Sequence, residues 1–208
     1  GSLVVLNSIT GEEMANLKVC SAPVMCTAFS SDGSKIAMGA RNGTMYIFSS
    51  NKEGMVFKNF KKHSYFRGPS PIIQLDWSKD GMYMQTVNRA LDVNYYNERI
   101  LTREKNPANI KDVQWYSQTC ILGYSVQGLW SGQNTVTSCD RSHSEELIVA
   151  GDTDGFVRLF RFPCLSNKAA FNEIYPSSKI VAVRFTYDDQ AVIAINQPNS
   201  TLTEWELI

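Results

Sequence analysis

The stretch Phe29-Ser30-Ser31-Asp32-Gly33-Ser34-Lys35-Ile36-Ala37-Met38-Gly39-Ala40-Arg41-Asn42-Gly43-Thr44-Met45-Tyr46-Ile47-Phe48 decides how the rest of the chain is read. It runs aromatic residue, Asp-Gly turn, short apolar strand, Asn-Gly turn, alternating strand. The two turn pairs supply the positive backbone dihedrals of tight hairpins, and the alternation in Met45-Tyr46-Ile47-Phe48 suits a strand with two different faces. The order then recurs. Trp77-Ser78-Lys79-Asp80-Gly81 leads into Met82 to Val87 and Leu91 to Tyr96. Glu146 to Ala150 precedes the turn Gly151-Asp152-Thr153-Asp154-Gly155 and the strand Phe156 to Phe160. Phe185-Thr186-Tyr187-Asp188-Asp189 leads into Ala191 to Ile195 and Thr201 to Trp205.

Equivalent third-strand starts at Thr44, Asp92, Phe156 and Thr201 give steps of 48, 64 and 45. Two of these lie near the roughly 40 to 45 residues of a WD40 blade. A lone four-stranded sheet buries little, so radially stacked sheets are the economical arrangement; a β-sandwich is the competing one. The fold expected is all-β, with about four WD40-like β-propeller blades near 21–60, 70–103, 110–174 and 179–208. Residues 3–7 are expected to form an outer strand completing the last blade. Phe29 to Trp77 is 48 residues, Trp77 to Trp115 is 38 and Trp115 to Phe185 is 70, which places an insertion at 116–137, just after a first strand ending at Trp115. Its apolar content predicts a segment packed on the blades.

The 208 residues are 43% hydrophobic, enough for a sizeable core, and 20 Lys plus Arg balance 20 Asp plus Glu. Zero formal charge excludes a chain-wide attraction to nucleic acid or anionic lipid and leaves electrostatic recognition to local patches. The five cysteines form no CxxC pair and only two histidines accompany them, so neither a zinc site nor another metal site is expected. Their scatter through apolar stretches fits reduced thiols in a cytosolic protein. No apolar run approaches the 18 or so residues of a membrane span.

The best candidate for catalysis is His143, beside Asp140, Ser142 and Ser144, but it fills a turn before a strand, where a structural hydrogen bond is the simpler role. Asp32, Asp80, Asp152, Asp154, Asp188 and Asp189 all sit in repeat turns, where aspartate bonds its own backbone. No phosphate-binding glycine loop is present. These residues predict a non-enzyme without a cofactor. One basic cluster, Lys52, Lys58, Lys61, Lys62 and Arg67, is interleaved with Phe57, Phe60, Tyr65 and Phe66. It reads either as a surface for an acidic protein or a nucleic-acid backbone, with Lys58, Lys61, Lys62 and Arg67 in contact, or as an outer strand around Met55 to Phe60 whose edge is guarded by lysines.

Asp112-Val113-Gln114-Trp115, Thr119-Cys120-Ile121-Leu122-Gly123-Tyr124, Val126-Gln127-Gly128-Leu129-Trp130, Arg141-Ser142-His143 and Val157 to Cys164 together resemble the last part of the echinoderm microtubule-associated protein-like family. The resemblance implies the C-terminal part of a tandem of atypical propellers. It further implies a scaffold associating with tubulin or microtubules, in the cytoplasm and cytoskeleton, with no nucleic acid or membrane partner. A generic WD40 scaffold in an unrelated complex is the alternative, and open blade edges predict self-association.

Overall fold

A computed structural model describes residues 1–53, 56–130, 135–175 and 178–207, with backbone alone at 52, 53, 56–59 and 107. The chain divides into two compact units, Gly1–Tyr116 and Ser117–Ile208. The first holds a hairpin, β1 (Ser2–Leu6) and β2 (Glu13–Lys18), and two four-stranded antiparallel sheets. One sheet is β3 (Val24–Phe29), β4 (Lys35–Ala40), β5 (Thr44–Glu53) and β6 (Val56–Arg67). The other is β7 (Ile72–Trp77), β8 (Tyr83–Asn88), β9 (Val93–Asn97) and β10 (Thr102–Glu104). The second unit holds β11 (Val136–Arg141), β12 (Leu147–Asp152), β13 (Val157–Arg161) and β14 (Phe171–Ile174), then a three-stranded sheet of β15 (Ile180–Phe185), β16 (Ala191–Asn196) and β17 (Leu202–Glu206). We number these sheets blades 1 to 4. In each of them neighbours in sequence are neighbours in the sheet, as in a β-propeller blade.

One turn, repeated four times, joins the first and second strands of every blade. The hydroxyl of Ser30, Ser78, Ser142 or Thr186 accepts the amide of the residue five ahead, at Lys35, Tyr83, Leu147 and Ala191, over 2.8 to 3.0 Å. The backbone amide of the same residue returns a bond to the carbonyl of that partner. A hydroxyl that locks the turn in this way competes well with water and sets the hairpin register. The fourth turn position has positive φ in all four: Gly33, Gly81, Glu145 and Asp189. Each blade's first strand also starts with a bulge, at Val24/Cys26, Ile72/Gln74, Val136/Ser138 and Ile180/Ala182. Such bulges increase local twist at the same place in every repeat.

Sheets pack face on face within each unit. Between blades 1 and 2 lie Ala37, Met45, Ile47, Ile72, Leu75, Trp77 and Met84, all buried. Trp77 is completely buried and its indole N–H donates to the Ala28 carbonyl at 3.1 Å, joining the two blades by a polar bond as well as by area. Val149, Val157, Ile180, Val183, Phe185 and Val192 do the same between blades 3 and 4. Gly39 and Gly151 occupy the fifth position of β4 and β12, and a Cβ on either would collide with Ile72 or Ile180, the first residue of the next blade. Glycine there lets neighbouring sheets approach closely.

Two placements differ from the sequence reading. Trp115 does not end the first strand of blade 3; it bridges Ser78 and stacks on Tyr95 at 6.1 Å in the first unit, and the insertion precedes β11. The reason is chemical: the strand-end aromatic of Phe29, Trp77 and Phe185 is replaced in blade 3 by Arg141, whose guanidinium lies 5.2 Å from the Phe162 ring. Without its aromatic, the strand is invisible to a pattern built on one. Second, Leu3 to Leu6, expected as the outer strand of the last blade, pairs with β2. A tight connection holds that hairpin, with Asn7 Oδ1 accepting the amides of Ile9 and Thr10 and Gly11 at φ 70°. Leu3 and Val5 are buried against Ile36, Met38 and Phe60 of blade 1. The outer strand of blade 1 is also longer than Met55 to Phe60, running to Arg67.

The insertion is packed. Cys120, Ile121, Val126 and Leu129 are buried, the Trp130 indole donates to the Ile121 carbonyl at 2.8 Å, and Gly128 N–H and Ser125 carbonyl clasp the Cys164 backbone at 2.8 and 2.9 Å. The expected insertion also takes in 131–134, which lie outside the described residues.

Candidate partner-binding surface

Lys61, Lys62 and Arg67 are exposed on β6, the outermost strand of blade 1; the side chain of Lys58 lies outside the described residues. Tyr65 is directly opposite Tyr46 of β5, and the Lys62 ammonium sits 4.7 Å from the Tyr46 ring and 4.9 Å from the Tyr65 ring. The Arg67 guanidinium lies 5.6 Å from the Tyr65 ring. Each such contact at an exposed site is worth roughly 0.5 to 1 kcal/mol and holds the cation close to the sheet. Tyr46 was absent from the sequence cluster; hairpin register brings it in.

The bulge at Ile47/Phe48 turns His63 away from this row. Its Nε2 reaches Glu98 at 3.3 Å, and Lys35 Nζ reaches the same carboxylate at 2.7 Å. Glu98 is therefore committed to its own neighbours. Among the described residues no carboxylate pairs with Lys61, Lys62 or Arg67. The row can offer its positive charge and the Tyr65 face, 54% exposed, to an acidic partner.

His143 is a blade fastener. Asp189 Oδ1 accepts the His143 backbone amide at 2.8 Å and faces its Nδ1 at 3.0 Å, while Oδ2 accepts the Ser144 amide at 2.7 Å. Burial raises the Asp189 pKa, but those amides and the two side chains more than offset it and hold the carboxyl below its ordinary range. Ser142 Oγ is engaged by Leu147 and Ser144 within its turn. The arrangement ties the first turn of blade 3 to that of blade 4 and commits Nδ1 of the imidazole to Asp189. Of the two aspartates expected to bond their own turn, Asp188 does so through the Gln190 amide, whereas Asp189 serves the neighbouring blade.

All five cysteines are free, and burial pushes the Cys26 thiol up to about 12, which keeps it protonated and unreactive at neutral pH. No group of three or more His, Cys, Asp or Glu able to hold a metal ion occurs among the described residues. No described helix is long and apolar enough to cross a membrane.

Repeated antiparallel sheets of three or four strands and hydroxyl-locked turns define a WD40-like β-propeller segment. The family model for the echinoderm microtubule-associated protein second β-propeller matches residues 1–207. The chain belongs to this family. It is 28% identical to human echinoderm microtubule-associated protein-like 3 and 25% identical to the rat protein-like 2, each over the whole of this chain and 24% and 32% of the relative. The protein-like 4 of Xenopus tropicalis is 28% identical across 86% of this chain and 20% of its own length. The chain thus spans about a fifth to a third of these relatives.

Proposed function

We propose that the chain is a non-catalytic protein-interaction scaffold of the cytoplasmic microtubule cytoskeleton, associating with tubulin or a microtubule-linked protein. The observation that carries this reading is the match of residues 1–207 to a propeller of proteins named for microtubule association. The row of Lys61, Lys62, Tyr65 and Arg67 supports it as a contact surface, because cations that pair with no carboxylate among the described residues, beside an exposed ring, suit acidic protein segments. The Asp189–His143 pair supports a scaffold over a hydrolase, since the carboxylate is spent on joining turns.

Co-sedimentation with unpolymerised tubulin and with microtubules tests the reading. The wild-type chain is expected to associate, and a variant combining Lys61→Glu, Lys62→Glu and Arg67→Glu to bind at least about tenfold more weakly while remaining folded, its melting temperature lowered only by the loss of the cation–π contacts. Absence of wild-type association would remove the tubulin assignment. Equal binding by wild type and variant would remove the β6 row from it.

A further inference from the structure

We propose that Glu98 of blade 2 is the positioning residue of the β6 row: through His63 it holds the bulge that brings Lys62 onto the same face as Tyr46 and Tyr65. This role rests on the row being a contact surface for an acidic partner, and it decides which face of the outer strand carries the cation.

The bulge is what builds the row. Along the last part of β6 the pairing with β5 is regular, with Met45 opposite Phe66, Tyr46 opposite Tyr65 and Ile47 opposite Ser64. Phe48 then opposes Lys62, so His63 is the extra residue. Opposite residues of an antiparallel pair share a face, and a shift of one residue exchanges the faces. Had the regular register continued, Phe48 would oppose His63, and Lys62 would oppose Ser49 on the face of Met45 and Ile47, which packs on blade 2. With the bulge, Lys62 shares the face of Tyr46 and Phe48, which packs on the β1–β2 hairpin. On that face its ammonium reaches the Tyr46 and Tyr65 rings, at 4.7 and 4.9 Å. The same switch places the buried Phe60 beside Phe48.

Glu98 supplies a fixed anchor for the extra residue. It directly follows β9, its backbone N–H donates to the Met82 carbonyl at 2.8 Å, and its side chain is 9% exposed. A carboxylate so far from water needs a cation beside it, and Nζ of Lys35, the first residue of β4, lies 2.7 Å from Oε1. His63 Nε2 lies 3.3 Å from the same oxygen. One oxygen of blade 2 thus holds both the start of the second strand of blade 1 and the bulge of its outer strand. The His63 side chain is 41% exposed, so apolar burial gives it little hold, and the polar contact with a fixed carboxylate sets its direction.

The test reads the position of Lys62 and the binding of an acidic chain separately. In the full chain with isotope-labelled lysine, the NMR signal of the Lys62 ε-methylene, assigned by its loss in Lys62→Arg, is expected upfield of the other lysines because two rings lie beside it. His63→Ala and Glu98→Ala are expected to move the signal to the position of the other lysines and to weaken binding of fluorescent polyglutamate about threefold or more in anisotropy titrations at low salt. His63→Gln, whose amide can still donate to Glu98, is expected to keep both. Loss of stability alone would leave the Lys62 signal of the folded chain where it is. An unchanged signal in His63→Ala would therefore overturn the proposal, because packing of Phe60 would then set the bulge without Glu98. That variant alters a partly exposed side chain and gives the answer even where Glu98→Ala does not fold. With the Lys62 signal shifted as expected, absence of polyglutamate binding by the wild-type chain would remove the contact surface itself, and with it the proposal that Glu98 positions one.

Discussion

Gly81 and Asp189 show how single residues maintain the repeat. Gly81 has φ 68° and nothing within 4 Å of where its Cβ would be, so Gly81→Ala isolates the backbone cost of the left-handed conformation. A loss of about 1 kcal/mol is expected in denaturant unfolding. Asp189 meets the same φ demand with a side chain because its carboxylate also binds the amides of His143 and Ser144. Its folded pKa is below its unfolded value, so its contribution is complete above the ordinary carboxylate range and is lost as pH falls through the folded pKa. Asp189→Asn tolerates the backbone and keeps one acceptor but removes the charge. The variant is expected to be less stable by roughly 1 to 2 kcal/mol at neutral pH and to lose part of the acid limb of its stability curve, as thermal melts across that range will read.

At the scale of elements, close approach of neighbouring sheets is the controlling requirement. Gly151→Ala places a methyl group against Ile180 and Val183 and is expected to cost about 1 to 3 kcal/mol, with amide exchange accelerated in β12 and β15. If the variant melts with wild type, the glycine is there for another reason. Strands with both turn and aromatic intact, such as β3 and β7, were legible because local chemistry and burial agree. β11 was not: Arg141 stands in the aromatic position, and Trp115 offered a false substitute upstream. The Ser or Thr of the repeated turn is the better marker, since Ser142 keeps it where the aromatic is lost. On β6 the cations were readable in sequence, whereas Tyr46 entered only through cross-strand register and His63 left through a bulge.

For the whole molecule, a formal charge of zero means that any electrostatic attraction is short-ranged and local. Binding of an acidic protein partner to the β6 row is expected to weaken with added salt, while an oligonucleotide, which needs many simultaneous phosphate contacts, is expected to bind more weakly than about 100 µM at about 0.15 M salt. Tight oligonucleotide binding in a fluorescence titration would contradict the charge argument. What the sequence determined by itself is the architecture: turn hydroxyls and strand alternation act over a few residues, and their fourfold recurrence specifies blades whatever lies beyond them. What only the tertiary structure decided is which residues meet across strands and sheets. The Asp189–His143 tie, the Lys62–Tyr46 contact and the Glu98–His63 contact all join groups set by register and packing, for which a linear pattern has no term.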